Sequence, residues 1–171
     1  MSEPVLLRPS SRTVIAAAPW EGPPAAGHEA AWTLLHRLLL LRGIDPDTLR
    51  IGRTARGKPF FETLSSLHCS LSHGRRYAAA ALSDRPVGVD IEQIRPVSDR
   101  VAMRFLDVHP ALYSPLPGDI GRILMWTRLE SYAKMTGEGV PVREIGCPHQ
   151  FTTYYHIPGH VLTVCEDVSA P

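Results

Sequence analysis

The chain has almost no net charge. Eighteen lysines and arginines meet seventeen aspartates and glutamates, leaving +1 with histidine neutral. Bulk attraction to nucleic acid is therefore excluded as a basis for function, although a local basic pocket remains open. Cysteine is scarce as well. Cys69, Cys147 and Cys165 are scattered and form neither a disulfide framework nor a CxxC pair. Reduced, mostly buried thiols in a cytosol follow from that usage. Long apolar runs are missing: Leu38–Leu41 is far too short to span a bilayer. The opening MSEPVLLRPSSR lacks the apolar core of a signal peptide, so a cytoplasmic protein without a membrane partner is expected. Low-complexity linkers are also lacking, because the 16 prolines and 13 glycines are spread along the chain. What is present suffices for a core: 44% apolar content over 171 residues suits one domain or two small, closely packed halves.

Thr13–Ala18 is apolar, bounded by Pro19, and reads as a strand. Trp20–Gly27 reads as a loop. From His28 to Leu41, the residues Ala31, Leu34, Leu35, Leu38, Leu39 and Leu41 recur at helical spacing and Gly43 supplies the stop. A short extended piece follows at Arg50–Gly52, then a basic loop closed by aromatics, Ala55–Phe61. Leu67–His73 alternates, with Leu67, Cys69 and Leu71 on one face and His68, Ser70 and Ser72 on the other. Tyr77–Leu82 and Val87–Ile91, separated by a turn at Asp84–Pro86, are expected to form a hairpin. Ser98 is a candidate N-cap for a helix to about Leu106, and Asp119 for a longer one over Ile120–Met135, stopped by Gly137 and Gly139. Val142–Ile145, Gln150–His156 and Val161–Cys165 are candidate strands. Both halves run helix, then antiparallel strands.

Two stretches carry candidate chemistry. Pro86–Ile94 has the alternation of a half-buried strand, with Val87, Val89 and Ile91 on one face and Gly88, Asp90 and Glu92 on the other. Two carboxylates two residues apart on a rigid face fit either a solvated strand surface or a divalent cation with oxygen ligands. On the long helix, Trp126, Glu130 and Lys134 are spaced by four and share a face. That pattern fits a surface ion pair as well as a site.

Three blocks, in this order, decide between the readings. Gly57-Lys-Pro59 comes first. Leu71-Ser-His73 with Val87-Gly-Val-Asp-Ile-Glu92 comes second. Trp126-Thr-Arg-Leu-Glu130-Ser-Tyr-Ala-Lys134 with Gly137-Glu-Gly139 comes third. Together they resemble the 4′-phosphopantetheinyl transferase superfamily, in its larger pseudo-dimeric type that serves polyketide and nonribosomal peptide synthases. The resemblance implies an α/β (α+β) fold of two similar halves related by a pseudo-two-fold, residues 1–85 and 86–171, each a helix on a small antiparallel sheet. It implies transfer of the phosphopantetheine arm of coenzyme A onto a serine of an apo acyl or peptidyl carrier protein. Asp90, Glu92 and Glu130 would hold Mg²⁺, and Glu130 would also be the general base. Lys134 would grip the diphosphate, and Lys58, Ser72 and His73 the 3′-phosphate and its neighbours. A monomer is expected, since a pseudo-dimer completes its own site.

Two features depart from the family pattern: the N-terminal helix, with His28, His36, Arg37 and Arg42 as its basic groups, lacks arginines that relatives often carry, and one position of the long helix differs. Leu129 stands where a lysine usually precedes the glutamate. A cation expected at the diphosphate is thus missing, and Arg128 points about 100° away on a helix. Restoring lysine at 129 is expected to help transfer. The substitution also raises an alternative, an accessory protein that binds coenzyme A or a carrier without efficient transfer. Two further readings find less support in the sequence. A serine hydrolase from Ser72, His73 and Asp90 lacks the G-x-S-x-G elbow. A zinc site from His149, His156, His160 and Cys147 lacks regular ligand spacing.

Overall fold

The computed structural model describes residues 3–106, 109–140, 145–146 and 148–169. Strands β1 (Val5–Leu7), β2 (Thr13–Pro19), β5 (His68–His73) and β6 (Tyr77–Ser83) form an antiparallel sheet in the order β1-β2-β6-β5. Strands β7 (Val87–Gln93), β8 (His149–Tyr154) and β9 (His160–Asp167) form a second, ordered β7-β9-β8. A two-stranded ribbon, β3 (Ile51–Arg53) and β4 (Pro59–Phe61), carries the basic loop. Helix α1 (Pro24–Leu41) packs on the first sheet and helix α3 (Gly118–Thr136) on the second. Between β7 and α3 lie one short turn of helix, α2 (Asp99–Val101), and a π-helical turn at Ala102–Leu106. Each of the two larger antiparallel sheets thus carries a helix. The connectivity also repeats: strand, helix and hairpin become β2-β6-β5 in one half and β7-β9-β8 in the other.

The layers follow from the apolar patterns. Leu34, Leu35, Leu38 and Leu39 of α1 are fully buried against Val14, Ala16, Ala18, Ala78, Ala80 and Leu82. The opposite face of that sheet, with Ile15, Ala17, Ala79 and Ala81, meets Val87, Val89, Ile91, Leu162 and Val164. Alanines at alternate positions of β2 and β6 present little bulk, so the two sheets pack closely. Burying these apolar faces supplies the main favourable term, at about 25 cal/mol per Å² removed from water.

Several expectations are corrected. β6 and β7 belong to different sheets and form no hairpin ladder. Their apolar faces stack on one another, which buries more surface than pairing their edges. β7 is not half-buried either: Val87 to Ile91 are all buried, because the first sheet covers one face of the strand and α3 the other. Helix α1 starts at Pro24, four residues before the expected His28, since proline at the first turn loses only an N–H that has no intrahelical partner. Leu41 is exposed at 64%, outside the buried stripe. Helix α3 starts at Gly118 after Pro117, so Asp119 sits inside the first turn; its Oδ1 accepts from the Val97 amide at 3.4 Å rather than capping. Ser98 does cap α2, accepting from Val101 N. The expected Val142–Ile145 strand falls almost wholly outside the described residues, as does Cys147. Among the described residues no helix is long and apolar enough to cross a membrane.

Gly88 sets how near α3 can lie to β7. A Cβ there would collide with the Ser131 carbonyl oxygen and the Met135 amide, both backbone atoms of α3. Gly88→Ala is expected to lower stability by about 3 kcal/mol, the upper end for overpacking. Urea unfolding that leaves the midpoint unmoved would contradict this close approach.

Candidate active site

The site lies where β5, at the edge of the first sheet, comes beside β7, at the edge of the second. β5 and β7 are edge strands, so their outward backbone groups need partners. Serines of β5 provide them: Ser70 Oγ accepts from Val89 N at 3.0 Å and Ser72 Oγ from Ile91 N at 3.3 Å. This stitching sets β5 beside β7, while Gly88 brings α3 onto the other face of β7. A cleft of about 570 Å³ opens at the junction. The seven residues singled out from the sequence, Lys58, Ser72, His73, Asp90, Glu92, Glu130 and Lys134, all line it, with Trp126.

Asp90 is the innermost group, with its side chain only 4% exposed. Its Oδ1 accepts from Ser72 Oγ at 2.8 Å and from Lys134 Nζ at 2.7 Å. Lys134 Nζ also donates to Ser72 Oγ at 2.9 Å. Asp90 Oδ2 is buried and has no hydrogen-bond partner among the described residues. Removing the counter-charge of such a buried acid typically costs about 3–5 kcal/mol. The i,i+4 pair suggested by Glu130 and Lys134 is thus set aside in favour of a cross-element pair with Asp90.

Glu92 and Glu130 are both half-buried and both held above the ordinary carboxylate range. Burial is the larger cause and the charge of Asp90 the next, which shows three acids close enough to repel. Arg95 Nη2 lies 3.8 Å from Glu92 Oε2 and partly offsets this. Among the described residues no three histidine, cysteine or acidic side chains stand ready-made as a metal cage. Mg²⁺ does not need one, since it fills most of its octahedron with water and phosphate oxygens. An orphaned buried Asp90 oxygen beside two mutually repelling glutamates fits such an ion.

Lys58 closes the cleft from the basic loop. Its Nζ donates to the carbonyls of Met135 and Val87, the first an otherwise unpaired group at the C-terminal end of α3. Burial pulls its pKa down to about 8. Arg56 likewise donates to the Glu138 carbonyl. Gly137 and Gly139, both at positive φ, lie directly against these two side chains. The Gly-Glu-Gly stop is therefore also the seat of the basic loop. His73 is pulled below its usual value by burial, then by His28 and Lys134.

Four further basic side chains of the cleft are not assigned to the site by the sequence. Arg53, Arg56, Arg95 and His28 line the wall. The basic loop announced Arg56, but Arg53 is held over the Trp32 ring at 5.5 Å, which no spacing reveals. Leu129 is turned the other way. It is fully buried in a cluster with Ala102, Leu106 and Leu112, so the expected benefit of a lysine there is withdrawn: that side chain would enter a core, not the cleft. Arg128 is engaged with the carbonyls of Leu112 and Tyr113 and is no substitute cation.

The rival sites do not assemble. The Ser72 hydroxyl bonds to Asp90, Lys134 and the Ile91 amide, not to His73, whose ring faces His28. His149 and His160 pair with Asp167 and Gln93 at opposite ends of β9, roughly 20 Å apart at the usual strand rise. His156 stacks on Tyr154.

No protein-family model matches the chain. Whole-sequence comparison does find relatives. A 4′-phosphopantetheinyl transferase of Bacillus subtilis is 32% identical over 104 residues, covering 57% of this chain and 46% of that protein. The transferase HetI of Nostoc sp. is 32% identical over 108 residues, again 57% and 46%. The transferase Sfp of Bacillus subtilis (strain 168) is 27% identical over 134 residues, 75% and 57%. The chain is similar to 4′-phosphopantetheinyl transferases over part of their length. It spans about half the length of these transferases.

Two outcomes follow from the geometry. Leu129→Lys is expected to destabilise the protein by about 3–5 kcal/mol, the cost of an uncompensated buried charge. A melting temperature equal to that of the parent would contradict the core position. Lys58 gives a pH dependence. Below about pH 8 it is charged in both folded and unfolded chains. From there to 10.5 the unfolded chain keeps a proton that the folded one has lost, so this group favours folding increasingly as pH rises. Lys58→Met should remove that part of the slope, as read from urea unfolding of both proteins below pH 8 and near pH 10.5.

Proposed function

We propose that the protein is a 4′-phosphopantetheinyl transferase, moving the phosphopantetheine arm of coenzyme A onto a serine of an apo acyl or peptidyl carrier protein. The observation that carries this reading is the convergence of Asp90, Glu92 and Glu130 in one cleft rimmed by Lys58, His73, Lys134 and three arginines. A diphosphate donor needs that combination: cations for its charge and acids to hold a metal and take a proton.

In the proposed reaction the acceptor serine oxygen attacks the phosphorus that bears the pantetheine arm. The bond from that phosphorus to the bridging oxygen breaks, and 3′,5′-adenosine diphosphate leaves with the electron pair. The serine proton goes to Glu130, directly or through water. Glu130 suits this role by its place, half-buried on the wall of the cleft that also holds Asp90 and Glu92. Lys134 steadies the diphosphate. Lys58, Ser72 and His73 contact the 3′-phosphate and its surroundings, with Arg53 and Arg56 as further cations on that wall. Asp90, Glu92 and Glu130 would hold Mg²⁺, which when bound neutralises charge on the diphosphate. Residues from both 1–85 and 86–171 build the cleft, which supports a protein acting as a single chain. A cytoplasmic setting agrees with three scattered cysteines that form no CxxC pair in the sequence.

The test is mass spectrometry of an apo carrier protein incubated with the chain, coenzyme A and Mg²⁺. A gain of the phosphopantetheine mass is expected, slowed by about 10²- to 10⁴-fold in Glu130→Gln, the usual worth of a general base. No gain at high enzyme concentration would refute the reading.

A further inference from the structure

The two oxygens of Asp90 are served unequally. Oδ1 holds the Lys134 ammonium at 2.7 Å and the Ser72 hydroxyl at 2.8 Å, while buried Oδ2 accepts nothing from the described residues. Lys134 in turn spends two of its N–H groups on Asp90 and Ser72. Among the described residues it is the one cation bonded to Asp90, and the side chain that carries it is 30% exposed. A compact charge on a flexible four-carbon stem can leave such a contact without moving the helix.

We propose that Lys134 is a placeholder cation: it neutralises Asp90 while the cleft lacks a divalent ion, and yields Asp90 when that ion binds. The proposal rests on the reading of Asp90, Glu92 and Glu130 as metal ligands. An ammonium and a divalent cation on one carboxylate repel each other, so each weakens the other's hold on Asp90. Ser72 stays behind as the fixed partner, because its oxygen is also anchored to the Ile91 amide at 3.3 Å. The released ammonium is then free for an anionic donor. One side chain thereby keeps the buried acid paired in the empty cleft and becomes a phosphate contact in the loaded one.

The experiment uses the full chain without coenzyme A and Mn²⁺ as the probe. Free Mn²⁺ is counted by electron paramagnetic resonance for the parent and for Lys134→Met. The variant should bind Mn²⁺ about tenfold more tightly, within the usual range for coupled sites. In the parent, Mn²⁺ should raise the labelling of Lys134 by an amine-reactive ester, read by peptide mass spectrometry. Equal or weaker affinity in the variant overturns the proposal, as does labelling that Mn²⁺ leaves unchanged or lowers. If the variant does not fold, the labelling of the parent decides alone. Mn²⁺ binding to neither protein overturns the metal site and the placeholder together, which separates failure of the underlying reading from failure of this inference.

Discussion

A carboxylate buried at the seam of two sheets and a helix has to be paired, and the Asp90–Lys134–Ser72 contact meets that demand. Much of the local architecture serves it. Gly88, one turn of the pleat away, lets α3 close enough for Lys134 to reach across. Ser72 joins the acid to β5, and with Ser70 it satisfies the edge of β7 through side chains instead of a ladder. The same crowding keeps Glu92 and Glu130 near Asp90 and raises their proton affinity. Structural pairing and chemical readiness arise from one arrangement of charge.

A second constraint holds the cleft's other wall. The basic loop between β3 and β4 is too short to have a core of its own. It is held by donating Lys58 and Arg56 to backbone carbonyls at and just beyond the end of α3. Those carbonyls lack helical partners and carry the negative end of the helix dipole, so cations suit them. The arrangement couples the N-terminal half to the helix that bears Glu130 and Lys134. Far from the cleft, buried Glu166 makes a comparable tie, accepting from Ser10 Oγ at 2.7 Å and from Thr13.

Much of the site was legible before folding. The period-two pattern of Val87–Glu92 put Asp90 and Glu92 on one face, and the spacing of four put Trp126, Glu130 and Lys134 on another; both faces open on the cleft. Position in a motif does not tell which way the Leu129 side chain points. A neighbour in sequence sits about 100° around a helix, and that rotation turned it into the Ala102–Leu106–Leu112 core. The β6–β7 hairpin failed for a related reason. A short turn permits either edge pairing or face stacking, and only the burial of alanine and valine faces chose between them.

Alternation, helical spacing and the glycine stops, being local, determined the strands, the two long helices and which side chains share a face. Tertiary structure alone decided which acid would be buried, which lysine would neutralise it, and that serine hydroxyls would join the sheets. Those outcomes depend on groups distant in the chain, such as Ser72 with Asp90 and Lys58 with Met135, whose meeting follows from the packing of layers and not from any local pattern.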